Sequence, residues 1–224
     1  MKYIFENFKN IFDFSFRNRL PFSLKNYFEK ESLTNILRNI YYFQTFDKYF
    51  KAENKKISIL DIGSKNWEYV KAQYYFFKTY SKDFVLNGIE LDYNRLNTNF
   101  YSRYEIAKFY TKNLENTNYI KGDFLEHNQK YDYIIWILPF VSKYPLIKWG
   151  LPLKYFKPLE MLSHAMYLLN SKGQMLIVNQ GKKEYSIQKE LNEKLNLKAE
   201  YFGEIEDKFN LFKNKRYICK IVKN

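Results

Sequence analysis

The sequence predicts an α/β fold: a mostly parallel sheet covered by helices on both faces, behind an N-terminal helical extension. Three observations predict it. Five short apolar runs alternate with stretches of helical period. Those runs are continuously apolar rather than alternating, as strands buried on both faces are. The first 50 residues contain no glycine and carry only helical periodicity.

Residues 1–54 read as a helical cap. Ile4, Phe8, Ile11 and Phe12 share one helical face, and Leu33, Ile36, Leu37 and Ile40 share another. Leu20-Pro21 separates the two stretches, and Ser32 or Thr34 is placed to cap the second. Residues 55–224 form the second unit. Ile57 to Ile62 is a strand ending at Gly63, followed by a helix over 66–80 with Trp67, Val70, Tyr74 and Phe77 on one side. Phe84 to Glu90 is the second strand, 93–113 a long polar helix, and Asn118 to Asp123 a weaker third strand. Asp132 to Leu138 is a strong fourth strand. A helix over 158–169 ends at Gly173, and Gln174 to Asn179 is the fifth strand. A helix over 183–196 follows, and 198–205 with 216–222 suit a closing antiparallel pair.

Composition narrows the class. Of 224 residues 46% are hydrophobic, enough for a sizeable core and against overall disorder. The longest apolar run, Tyr133 to Val141, is about half of what spans a bilayer. Glu6, Lys9 and Asp13 interrupt the N-terminus, so it does not read as a secretory signal, and a cytoplasmic location is expected. Cys219 is the only cysteine and His127 and His164 the only histidines, which excludes an internal disulfide and argues against a metal site. The formal charge of +13 and 21% aromatic content suggest nucleic acid as a partner. Phe, Tyr, Ile, Asn and Lys also share AT-rich codons, so codon bias produces the same signature.

The strand ends carry the chemistry. The first ends Leu60-Asp61-Ile62-Gly63-Ser64, the second Gly88-Ile89-Glu90, and the third Gly122-Asp123-Phe124. Ligands of parallel sheets bind beyond these ends. An acid two residues before the turn glycine disfavours the pyrophosphate of a dinucleotide and favours a cation. S-adenosylmethionine is cationic at its sulfonium and its ammonium. Glu90 offers two acceptors to a ribose diol, and Asp123 one to an adenine amino group. Three carboxylates at successive strand ends predict a pocket opposite in sign to the basic surface.

At these residues the chain resembles the class I S-adenosylmethionine-dependent methyltransferases over roughly residues 55–224. ILDIGS is similar to the family's first motif, GIELD to its acidic second-strand motif, KGDF to the third, and YDYIIWILPF to the fourth. The resemblance implies a three-layer Rossmann-like sheet whose last strand is antiparallel. It implies that Asp61 and Gly63 hold the methionine part, Glu90 the ribose, and Asp123 with Phe124 the adenine. Ser64 and Leu138 complete the implied cofactor set. The family's first loop has glycines where this chain has Lys65 and Trp67, which puts the cofactor site's shape in question. The fourth strand lacks the Asn-Pro-Pro-Tyr type motif of base-amine methylation and reads Ile137-Leu138-Pro139-Phe140.

Four of the five prolines fall at 139, 145, 152 and 158, in an irregular stretch of about 18 residues that contains Lys143, Tyr144, Lys148, Trp149, Lys154, Tyr155 and Lys157 and no acid. Lys143 and Trp149 there, and Asn179 at the fifth strand's end, are the candidate substrate residues, suited to an anionic or aromatic methyl acceptor. Asn179 and Gln180 equally suit capping of the next helix. No general base is assigned. His164 reads as a packed or surface residue, His127 has no assigned role, and Cys219 reads as core. Two alternatives stand beside methyl transfer: a catalytically degenerate methyltransferase fold that binds nucleic acid through its basic surface, and a nicotinamide dinucleotide enzyme. The missing glycine fingerprint and Asp61 weigh against the second.

Overall fold

The computed structural model describes residues 32–52 and 56–224. The Ile4–Phe12 face, the Leu20-Pro21 break and the boundary at residue 54 lie outside the described residues. Helix α1 (Leu33–Tyr49) comes first, and Ser32 caps it by accepting the Asn35 N–H at 3.3 Å. The chain then runs β1 (Ile57–Ile62), α2 (Val70–Tyr80), β2 (Phe84–Glu90), α3 (Arg103–Thr111), β3 (Thr117–Lys121) and β4 (Tyr131–Ile137). There follow α4 (Lys143–Lys148), α5 (Pro158–Leu168), β5 (Leu169–Gln180), α6 (Gly181–Lys194), β6 (Ala199–Ile205) and β7 (Arg216–Val222).

The seven strands form one sheet in the order β3-β2-β1-β4-β5-β7-β6. Pairs from β3 across to β5 are parallel, and β7 runs antiparallel to both of its neighbours. Strand alternation divides the core. Ile57, Ile59, Ile135, Ile137 and Val178 face α1 and α2, while Leu60, Ile134, Trp136, Met175 and Ile177 face α5 and α6. Helices on both faces bury the central strands, which explains their unbroken apolar runs. Helix α1 is part of this core: Phe46 packs on Phe76 of α2, and Phe50, just past the helix end, meets Tyr133 of β4 edge-on. No described helix is long and apolar enough to cross a membrane.

Several boundaries differ from the sequence reading, each for a local reason. The helix expected over 66–80 starts at Val70, because Trp67 sits in a left-handed turn. The helix expected over 93–113 starts at Arg103. Ser102 and Glu105 form a reciprocal capping box there, and 93–102 turns back on itself through a Leu96–Ser102 bridge. Gly173 stops no helix. It lies within β5, where a Cβ would meet the Asn170 carbonyl oxygen at 2.8 Å. The stretch between β4 and α5 is not irregular but holds α4 and a short 3₁₀ turn, Leu153–Tyr155.

Candidate active site

The sheet order reverses between β1 and β4, and open α/β sheets bind ligands beyond the carboxyl ends at such a switch point. A cavity of about 430 Å³ lies there. Four strand ends build its wall: Ile62 and Gly63, Ile89 to Leu91, Gly122 to Phe124, and Trp136 to Phe140.

The loop after β1 turns left-handed three times, at Gly63 (φ 70°), Lys65 (φ 53°) and Trp67 (φ 52°). The backbone thus keeps a path suited to glycine while carrying two side chains, at about 1–2 kcal/mol each. Hydrogen bonds hold it. Gly63 N–H donates to the Ile89 carbonyl at 2.9 Å, Lys65 N–H to Glu90 Oε2 at 2.9 Å, and the Tyr119 hydroxyl to the Lys65 carbonyl at 2.6 Å. The two side chains part. Trp67 turns inward, fully buried, and its Nε1–H donates to Gln73 Oε1 at 2.9 Å. Its indole lies on Gly88, where a Cβ would come within 2.8 Å of the ring. Lys65 turns into the cavity, its Nζ 4.1 Å from the centroid of the Trp149 ring. The Arg103 guanidinium lies 5.2 Å from the same centroid. Burial, with the Arg103 charge beside it, holds the Lys65 ammonium down to about 8.

Glu90 is buried on the cavity wall and heavily engaged. Its Oε1 accepts from Arg103 Nη1 at 2.8 Å and from Asp92 N–H at 2.9 Å, and its Oε2 from Lys65 N–H. A carboxylate has about four acceptor positions, so one on Oε2 remains. Asp123 begins a 3₁₀ turn, Phe124–Glu126, and its Oδ1 accepts Leu125 N–H at 3.0 Å. Phe124 packs edge-on against His164, whose Nε2 pairs with the His127 carbonyl at 2.8 Å. Leu138 leaves β4 with φ 59° and lines the cavity.

Of the expected cofactor residues, the cavity brings together Gly63, Glu90, Asp123, Phe124 and Leu138. Asp61 and Ser64 are fully buried and do not line it. Among the described residues, neither Asp61 carboxylate oxygen has a partner at hydrogen-bonding geometry, and burial pushes the group up to about 8. Gln73, Tyr69 and Trp67 face it and only partly oppose that shift. The wall is accordingly not the acidic pocket that the strand-end acids predict. Lys65, Arg103, Lys154 and Lys157 line it beside Glu90, Asp123 and Glu126.

A second cavity, of about 460 Å³, adjoins the first and shares Lys65, Leu138, Pro139, Phe140 and Trp149 with it. Of the expected substrate residues, only Trp149 lines it. Lys143 opens α4 as an exposed residue away from both cavities. Asn179 is fully buried, lines neither, and has no partner for either amide atom among the described residues. It caps nothing; the Glu184 carboxylate instead accepts Gln180 N–H at 3.0 Å. Sequence reasoning missed Arg103 and treated Lys65 only as a departure. The S-x-x-E pattern at Ser102–Glu105 is the signal that places Arg103 at a helix start beside the site.

No protein-family profile matches the chain, and no curated protein matches it in sequence. Solved structures do match. The chain is similar to an S-adenosylmethionine-dependent methyltransferase from Aquifex aeolicus (TM-score 0.57, 11% identity, covering 90% of this chain and 97% of that one). It is similar to a methyltransferase from Pyrococcus furiosus (TM-score 0.55, 17% identity, 85% and 83%). It is also similar to magnesium protoporphyrin IX methyltransferase from Synechocystis PCC 6803, solved with bound S-adenosylmethionine (TM-score 0.52, 10% identity, 85% and 79%). These neighbours give no support to a cofactor-free nucleic-acid binder. The seven-stranded, mostly parallel sheet with its antiparallel β7 agrees with them: the chain has the fold of the class I S-adenosylmethionine-dependent methyltransferases.

Proposed function

We propose that the protein transfers a methyl group from S-adenosylmethionine to an acceptor. The observation that carries this reading is the cavity at the β1–β4 switch point, walled by the strand ends that the methyltransferase motifs occupy. The residues fit the cofactor's adenosine half. Asp123 Oδ2 is available to an adenine amino group while Oδ1 holds the turn, and Phe124 with Ile89 supplies apolar wall. Glu90 keeps one acceptor position for a ribose hydroxyl. The left-handed turn at Gly63 leaves room beside the backbone, since a Cβ there would meet nothing within 4 Å. Bound there, S-adenosylmethionine supplies a methyl carbon activated by its sulfonium, whose departure as a neutral thioether needs no acid. The chain's part is alignment and exclusion of water, which proximity makes sufficient for much of the rate.

The test is the melting temperature of the purified protein with S-adenosylmethionine or S-adenosylhomocysteine. Ligand at about 100 times its dissociation constant adds roughly 2.7 kcal/mol to stability. Asp123→Ala should reduce the shift. An unchanged melting temperature at millimolar ligand, in folded protein, overturns the reading.

A further inference from the structure

We propose that the second cavity is the acceptor site and that it takes an aryl anion, a carboxylate or phosphate carried on a flat apolar body. This rests on the methyl-transfer reading for its role as acceptor site, but not for its chemistry. The two cavities adjoin, sharing Lys65, Leu138, Pro139, Phe140 and Trp149 in their linings. A molecule in the second cavity therefore lies beside one in the first. The volume, about 460 Å³, is that of a small-metabolite site.

The lining sets the ligand class. Phe140, Tyr144 and Trp149 offer flat apolar faces, and Pro139 and Pro145 stiffen the wall. Three cations, Lys65, Arg95 and Lys148, stand against one acid, Glu184. The nearby ion pairs do not remove this excess. Arg95 and Arg103 are matched by Asp92 and Glu90. Among the described residues, neither Lys65 nor Lys148 has a carboxylate within 4 Å. Lys65 is partly buried, and its charge rests on an indole that it shares with a second cation. A recessed ammonium that no described carboxylate touches, with Glu90 and Glu68 acting only at longer range, is costly unless an anion comes into contact with it. An anion in the second cavity does so. Glu184 is a poor internal substitute, because burial raises its carboxyl toward the neutral form and its Oε2 already accepts Gln180 N–H.

The experiment titrates the protein with phenyl phosphate and with benzoate, and in parallel with phenol and benzylamine, each with and without S-adenosylhomocysteine. Tryptophan fluorescence is the readout, because Trp149 is 37% exposed while Trp67 and Trp136 are buried. A Trp149→Phe protein identifies the responding ring. One or both anions should bind saturably, and more weakly as salt rises. Phenol and benzylamine should bind about tenfold or more weakly, the worth of one charge-assisted hydrogen bond. Lys148→Gln, an exposed change, should weaken the anion, and Lys65→Met should abolish the preference for anion over phenol. Phenol or benzylamine binding as tightly as the anions overturns the proposal. So does an absence of saturable anion binding at millimolar ligand. A melting shift with S-adenosylhomocysteine but no anion binding overturns this inference alone. Anion binding without that shift overturns methyl transfer and leaves the anion site standing.

Discussion

Asp61 and Lys65 are four positions apart on one strand end, and the fold treats their charges in the same way and to different ends. Each is pushed toward neutrality by burial, Asp61 against the α2 side and Lys65 between the two cavities. The Asp61 carboxyl holds its proton up to about 8 in the folded chain and releases it near 3.8 when unfolded. Between those values the folded state binds the extra proton, so stability falls as pH rises, by at most about 1.4 kcal/mol per pH unit. Asp61→Asn removes that slope. Urea unfolding should show the variant gaining more stability at about pH 8 than at about pH 5. Lys65 gives the opposite dependence for binding. Its ammonium, lowered to about 8, loses its proton as pH rises through that value. Phenyl phosphate affinity should drop across the same interval in the native protein and stay flat in Lys65→Met. The strand-end carboxylates were legible in the sequence because spacing from a turn glycine is a local signal. Their environments were not. Whether Asp61 lines a pocket or lies under a tryptophan depends on the left-handed turn at Trp67, which no periodicity encodes.

At the scale of elements, the strands were the most readable parts. β1, β2 and β4 lie where their apolar runs lie, because burial on both faces demands a composition that little else produces. Helix starts were less readable, since a polar surface helix and a polar turn share a composition. The stretch before α3 is the example. Its residues carry helical spacing, yet the backbone waits for the Ser102 capping box. Ser102 accepts Glu105 N–H at 3.2 Å, and Glu105 accepts Ser102 N–H at 2.7 Å. Ser102→Ala should therefore cost about 1 kcal/mol in urea unfolding. Because Arg103 begins this helix and pairs with Glu90, the same change should also weaken S-adenosylhomocysteine binding, read from the melting shift. Helix α4 was hidden for another reason. It is six residues long and contains Pro145, a residue that usually argues against helix but is tolerated in a first turn.

For the whole molecule, the sheet order follows from alternation of strand and helix together with the right-handed crossover, so the layer architecture was readable before any contact was known. The charge was not readable in the same way. A net charge of +13 describes the surface, yet the site combines cations and acids in a local pattern that composition averages away. The core offers a probe of global unfolding. Cys219 is fully buried in β7 and burial pushes its thiol up to about 12. A thiol reagent at neutral pH should leave the native protein unlabelled. Labelling should follow the global opening of the sheet, with a urea dependence matching that of circular dichroism. Labelling of the folded protein within minutes at zero urea contradicts a sealed central layer.

The contact between Trp67 and Gly88 constrains how such a loop can evolve. Replacing Trp67 by glycine alone empties a fully buried site, at about 3–5 kcal/mol or more, a large share of a typical domain's stability. Enlarging position 88 first drives a Cβ into the indole. Neither single step is neutral, and only the paired change keeps the core filled. Positions 67 and 88 are thus coupled in stability, independently of the ligand that occupies the cavity above the loop.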